Sequence, residues 1–532
     1  MIDSLGTIQL IIVLPLLWVV FRKIPQWAMI IVLISVNLIC LYEIWEGLFQ
    51  LFGLHKSNHF LYSMTGSFDN PGPLGGMLSI CISLLGAYCY QYKCGLLSYD
   101  NQILKTLFGL SLFTSSLAII VLPSTQSRSA ILALVCSFLL FTFSSSTIIN
   151  KLKPYLKQYG LLFIIGFLIV GISAYLYKKP SADGRLFIDK ICIKTICANG
   201  LKGAGRGHFG GAYGETQALF FKQQIDEKGK DDMDWRVINT HDRLTADCPD
   251  NAFNEFLLMG VEFGPIVMFI CIAAIIFTTI ISFKRGTIWC YGLTTLSVFS
   301  FFSYPLHIKT FQFILVFLFA ACLFDKSTLT NKEYENVLRQ SIKKKNLLWE
   351  VSIVLLAVIS SIAILIKTTP DIKLKNQVEA KWKKLDNWHK KEYYFYVVEN
   401  SEELLPYMRY NHHFLFVYGQ SLNKIGEFEK SDSILKLGTE ISSDPMFWNV
   451  MGNNSFALGR YREAEERYKH AFYMVPNRLY PLYLLAKLYY EEGDTSRLLG
   501  MAKEINSFRP KVESDITDQL RLEINELVNE IE

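Results

Sequence analysis

Charge is scarce in this chain of 532 residues: Asp, Glu, Lys and Arg make up 19% of it, while 51% is apolar and 14% aromatic. Mean hydropathy is +0.25, too apolar for an ordinary soluble protein and expected of one that crosses a membrane many times. The formal net charge is only +5, and part of it sits in lysines flanking apolar runs, so composition gives no argument for nucleic acid as a partner. Metal-ligand spacing is absent from the eleven cysteines. Cys40, Cys81, Cys89, Cys136, Cys271, Cys290 and Cys322 lie inside apolar runs, where each behaves as a small hydrophobe. Cys192, Cys197 and Cys248 share one long polar stretch, in which a disulfide from Cys248 to either of the others is open in an oxidising compartment. The first apolar stretch lacks the basic flank and small-residue cleavage site of a signal peptide and is expected to be retained as a span.

Apolar runs near the length of about 20 residues that crosses a bilayer fall at roughly 6–21, 27–52, 73–92, 106–123, 129–148, 158–177, 259–282, 287–303, 310–324 and 348–367. About ten transmembrane helices predict an all-α polytopic fold with both termini on one side. Arg22, Lys23, Lys93, Lys105, Lys151, Lys153, Lys157, Lys284, Arg285 and Lys343 to Lys345 fall on the opposite side, whereas the short loops facing the termini hold only Lys56, Arg128 and Lys309. By the positive-inside rule the lysine-rich side is cytoplasmic. For a Gram-negative inner membrane the periplasm then receives both termini, loop 53–72, the start of the fifth span at Arg128, the large loop 178–258 and the turn Tyr304-Pro305-Leu306-His307. Residues 1–367 read as the membrane domain and 368–532 as a soluble periplasmic domain.

That tail carries a repeat. Trp448, Gly452, Ala464, Tyr468, Ala471 and Pro476 match the 34-residue tetratricopeptide pattern, and Gly426, Gly459 and Gly493 recur at nearly its period. Such a domain either stabilises or oligomerises the protein, or offers a groove to a peptide or protein partner.

The unusual polar sequence converges on the outer side. Loop 53–72 ends in Thr65-Gly66-Ser67-Phe68-Asp69-Asn70-Pro71-Gly72, a turn at the mouth of the third span. Arg128, in Ser127-Arg128-Ser129-Ala130, binds an anion or merely snorkels to headgroups. Gly184-Arg185 opens a segment of helical period, and the run Gly203 to Gly211, containing Arg206, is either a hinge or a loop whose amides approach an anion. Tyr213 and Gln217 follow. Asn254 and Glu255, with Glu262-Phe263-Gly264 beyond, lead into the seventh span, where capping competes with a functional role. Asp247, His241 and His307 share this side; His241, in a charged stretch, reads best as a solvated loop residue.

In their order, these pieces resemble the superfamily of O-antigen ligases, Wzy-type polymerases and PglL-like O-oligosaccharyltransferases over about residues 60–310: Gly-x-Phe-x-Asn-Pro before a span, Ser-Arg-Ser-Ala opening another, Gly-Arg heading the large loop, Gly-x-Gly followed by Tyr213 and Gln217, and Asn-Glu-x-Leu with Glu-x-Gly before the next span. The resemblance implies a GT-C-like membrane glycosyltransferase that moves a glycan from undecaprenyl diphosphate to a hydroxyl at the periplasmic face without a metal or other cofactor. Charge developing on the diphosphate would then be met by fixed guanidiniums, Arg128 and Arg185 first and Arg206 third. Asn70, Asn254, Tyr213, Gln217, His307, Asp247 and His241 become candidate substrate-binding residues. The chain departs from the family at Phe253-Asn254, where a His-Asn pair is usual, which leaves Glu255 as first candidate for general base. The acceptor is lipid A core sugar or a protein Ser/Thr ahead of another glycan. The rival reading is a scaffold or transporter whose arginines bind lipid headgroups and whose tail recruits an envelope partner; no inverted repeat of the membrane half supports a transporter.

Overall fold

The computed structural model describes residues 25–94, 102–144, 178–227, 235–325 and 374–531, with Pro154, Gln158, Tyr175 and Leu176. Secondary structure among the described residues is entirely helical. The expected spans at 6–21 and 348–367, and most of that at 158–177, lie outside them. The chain divides into two compact units: Met1–Tyr177 with Phe253–Phe256 and Phe269–Asp371, and Lys178–Ala252 with Leu257–Met268 and Ile372–Glu532. The large loop, read from sequence as part of the membrane domain, thus belongs with the tail.

In the first unit, helices Ala28–Leu51, Pro71–Lys93 and Gln102–Thr125 are long and apolar enough to cross a bilayer, as is Pro265–Arg285, most of which belongs here. Helices Arg128–Phe143 and Lys309–Phe324 are apolar but shorter. Pro71–Lys93 is the central helix. Asn70 caps it by accepting the Gly72 amide at 2.8 Å, a proline occupies its first turn, and Lys93 sits in its last. Small residues let neighbours close on it: Gly75 meets Ser127 and Ala130, and Gly76 meets the Phe299 ring. Across the same contacts Ser83 bonds Thr295 at 2.7 Å and Ser79 donates to the Ala130 carbonyl at 3.0 Å, the small-residue and hydroxyl packing used where helices meet without a hydrophobic driving force.

These contacts define two ends. At one, Gln91 donates to the Gly286 carbonyl at 2.6 Å, the Tyr88 hydroxyl donates to the Leu104 carbonyl, and the Trp289 indole donates to Asp325; Lys93, Lys105, Lys284 and Arg285 flank this end. At the other, the start of Pro71–Lys93 adjoins the turn before Arg128 through Gly75 and Thr125, Phe68 packs on Phe311 with ring centres 5.8 Å apart, and Phe299 covers Gly76.

In the second unit the tail is a row of helical hairpins, His412–Lys424 with Phe428–Thr439, Met446–Ala457 with Tyr461–Met474, and Tyr480–Glu491 with Thr495–Ser507; helices 374–390 and Tyr394–Met408 precede them and Asp515–Asn529 closes the row. Within the hairpins Gly419 admits Leu435 and Gly452 admits Tyr468. The turns at Gly426, Gly459 and Gly493 use positive φ, which glycine adopts without strain. Helix Phe209–Asp226 of the large loop packs on Tyr461–Met474, and Gly210, Gly211 and Gly214 bring its backbone against residues 439–443. Asn477 donates to the Arg243 and Ala246 carbonyls at 2.9 and 2.8 Å, Arg243 donates to the Arg509 carbonyl at 2.9 Å, and Lys511 pairs with Asp247 at 3.0 Å. Loop and tail are one folded body.

Candidate functional site

The polar end of the first unit is built on two buried residues of helix Pro25–Leu51. Gln50 accepts the Thr65 and Gly66 amides, each at 2.8 Å, and donates to the Gly66 carbonyl at 2.9 Å. Glu43, two turns earlier on the same helical face, accepts the Ser67 amide at 3.0 Å and the Ser67 hydroxyl. With Asn58 donating to the Phe68 carbonyl at 3.0 Å, these bonds fix the loop that delivers Asn70. A buried carboxylate is costly unless its lone pairs are met, and here loop amides and a hydroxyl meet them. Asn70 itself spends its side-chain oxygen on capping. Arg128 opens its helix beside this loop, half-buried, after a 3-10 turn that ends at Gln126 with φ +50°.

The same end holds Glu255. It is 3% exposed, and its Oε1 accepts the Leu306 amide at 2.6 Å while standing 3.5 Å from His307 Nδ1. The His307 side chain is 43% exposed. Gln312 fixes the turn by donating to the Leu306 carbonyl at 2.6 Å. Phe253 has φ +51°, its ring lies edge-on to Tyr304 at 5.5 Å, and Tyr304 in turn neighbours His307 at 6.3 Å. Asn254 accepts the Phe256 amide at 3.1 Å, the capping role that competed for it. A buried carboxylate against a half-exposed imidazole can orient the ring.

The second unit holds the remaining candidates. Arg185 and Asp189 lie one turn apart on helix Lys179–Asn199; burial pushes Asp189 up to about 6 against the opposing pull of Arg185. The glycine run is committed to its own chain. Ala204 and Gly205 donate their amides to the Val261 and Glu262 carbonyls at 2.8 and 2.9 Å, and the Gly207 amide donates to the Glu262 carboxylate at 2.9 Å. Glu-x-Gly and Gly-x-Gly are therefore partners: the anion that the Gly207 amide binds is the Glu262 carboxylate. Arg206 is exposed on this loop.

Tyr213 and Gln217, read as substrate-binding, are fully buried. The Tyr213 hydroxyl donates to Gln217 Oε1 at 2.8 Å, and Gln217 donates to the Met474 and Asp247 carbonyls, so both are spent joining loop to tail. Asp247 belongs to that joint too. Burial would raise its carboxyl, but Lys511, the Cys248 amide and Arg478 outweigh burial and hold it below the ordinary range. His241 is exposed and 3.3 Å from Asp183, a surface pair of small worth. Cys248 is a free thiol that accepts from Arg478 at 3.0 Å; burial raises it to about 11.

Sequence reasoning passed over Glu43 and Gln50, although two polar residues seven positions apart at the end of a span, on one helical face, are a signal of their own. Among the described residues the architecture is all-helical, with four helices long and apolar enough to cross a membrane. No family model, curated protein sequence or solved structure matches the chain.

Proposed function

We propose that this protein is a membrane glycosyltransferase that moves a glycan from a polyprenyl diphosphate to a hydroxyl acceptor at the outer face, with His307 as general base and Glu255 as the group that orients it. The carrying observation is the Glu255–His307 pair at the bundle end that also holds Arg128 and the Asn70 loop. Glu255 is too buried and too engaged to meet a sugar or serine hydroxyl itself. An imidazole reaching this corner from position 307, across the Tyr304 ring from Phe253, supplies what the family's usual His-Asn pair would.

In the reaction the acceptor oxygen attacks the anomeric carbon, its proton passes to the His307 imidazole, and the bond from that carbon to the diphosphate oxygen breaks. The leaving diphosphate keeps the electron pair, and Arg128, at the same end of the first unit, balances its charge. Guanidinium forks suit this because each can engage two phosphate oxygens. The finer topology, about ten spans with periplasmic termini, and the tetratricopeptide reading of the tail belong to the same proposal; the hairpin row and the glycines recurring at nearly 34 residues support the latter. A repeat groove of this kind favours a protein Ser/Thr or lipid A core acceptor over chain polymerisation.

The test is transfer by full-length protein in liposomes from a polyprenyl-diphosphate glycan. His307→Ala should lower kcat by about 10²–10⁴ with the protein still folded and inserted. Glu255→Gln should cost less, and the double variant should be no slower than His307→Ala alone, as for residues acting as one unit. Undiminished transfer by His307→Ala would falsify the assignment of the base; undiminished transfer by Arg128→Ala would favour the scaffold.

A further inference from the structure

Helix Lys179–Asn199 has two apolar sides. One, around Phe187, Ile191, Cys192 and Ile196, is buried within its unit. The second is Leu186, Ile193 and Cys197; at 100° per residue these fall within about 40° of one another, opposite the buried side. Leu186 is 60% and Ile193 54% exposed, and Cys197 is exposed. A helix resting on one core needs a single apolar stripe. Lys190 and Lys194 flank the second one, their ammonium groups 4.6 and 5.3 Å from the Phe220 ring centre; Lys190 is paired with Asp242 at 2.8 Å, and the exposed Lys202 follows just beyond the helix.

The path of the chain says what covers that stripe. Leu201, 67% exposed, continues it. The Leu201 carbonyl lies so close to Gly264 that a Cβ there would collide with it, and Ile196 abuts Gly260 in the same way. Gly264 immediately precedes Pro265–Arg285, the most hydropathic of the span candidates and the least buried. Phe263, Ile266 and Val267 at its start are exposed as well. Within this unit, exposed apolar residues thus stand at Ile193, at Leu201 and at Phe263, Ile266 and Val267, where a helix long and apolar enough to cross a bilayer begins.

We propose that helix Lys179–Asn199 lies in the headgroup boundary of the membrane, with Leu186, Ile193 and Cys197 dipping into the acyl region and Lys194 and Lys202 on anionic phospholipid headgroups. This is the composition of an interfacial helix, an apolar stripe flanked by lysines whose stems run along apolar surface. The placement holds whichever leaflet is involved and does not depend on glycan transfer.

The experiment uses full-length protein with Cys94→Ser in phosphatidylcholine vesicles with and without phosphatidylglycerol, spin-labelled at the natural Cys197 and, separately, at Ile193→Cys with Cys197→Ser. Collision with oxygen should exceed collision with a water-soluble nickel chelate at both positions. Greater nickel access would overturn the proposal by facing the stripe to water. Exclusion of both reagents would overturn it by showing a protein partner, another part of this chain or a second copy. Lys194→Glu and Lys202→Glu together should raise nickel access at Cys197 several-fold in phosphatidylglycerol vesicles; no change there would overturn the headgroup role of the lysines.

Discussion

Asp189 is the residue whose environment most plainly opposes its charge outside the spans. Burial raises its carboxyl from 3.8 to about 6, although Arg185 one turn away pulls it down. Because the folded pKa is the higher one, the native state holds the proton more tightly than the unfolded chain, and stability falls as pH rises through the window from about 4 to about 6. Below that window the cost is absent; above it the cost is constant. Asp189→Asn should therefore stabilise the second unit at pH 7.5 by about 1–2 kcal/mol, after discounting for a half-buried group, and should do nothing at pH 3.5. Thermal unfolding in detergent at the two pH values checks this, and an equal gain at both would point to packing instead of charge. Arg185 was legible from the sequence as a cation worth explaining. Asp189 was not, because its perturbation comes from the chain folded around it.

At the scale of elements, glycine shows why part of the candidate site could not be read in advance. From the sequence, Gly203 to Gly211 is one flexible run suited to an anion. In the fold it has two parts with different causes. Gly203, Gly205 and Gly207 have positive φ, 70°, 101° and 78°, and their loop wraps the end of helix Glu255–Phe263. Gly210 and Gly211 are helical and bare because the carbonyls of Ile441 and Glu440 press on them; their partners lie over two hundred residues away. A Cβ at Gly211 meets backbone, which cannot swing aside as a side chain can. Gly211→Ala should cost about 1–3 kcal/mol and lower the Tm of the full-length protein by about 2–10 °C. Gly500, also helical, has open space about it, so Gly500→Ala should raise stability by up to about 1 kcal/mol from helix propensity alone. A Tm for Gly211→Ala equal to that of Gly500→Ala would mean that loop and tail are not pressed together there.

For the whole molecule, the apolar runs and the lysine bias were legible because lipid acts on every residue of a span at once, through length and hydropathy, whatever the tertiary partners. The joint between large loop and tail was hidden, since Gln217, Asn477 and Arg243 meet one another only after folding. That joint constrains topology. On the proposed topology, two segments of one compact unit lie on the same side of a membrane, which asks for an even number of crossings between Ala252 and Ile372. Pro265–Arg285, Trp289–Phe301 and Lys309–Phe324 occupy that stretch; on the proposed topology the apolar run 348–367 supplies the fourth crossing. Lys222→Cys on the loop and Arg462→Cys on the tail, both exposed sites, should accordingly react together with an impermeant maleimide on intact cells. The exposed Cys94, beside Lys93 at the lysine-rich end of the bundle, should react only once the membrane is opened. Labelling of 222 without 462 would break the even count and with it the joint. Labelling of Cys94 on intact cells, with 222 and 462 protected, would keep the joint and invert the orientation, moving the Glu255–His307 end to the cytoplasm and removing the outer-face reaction proposed for it.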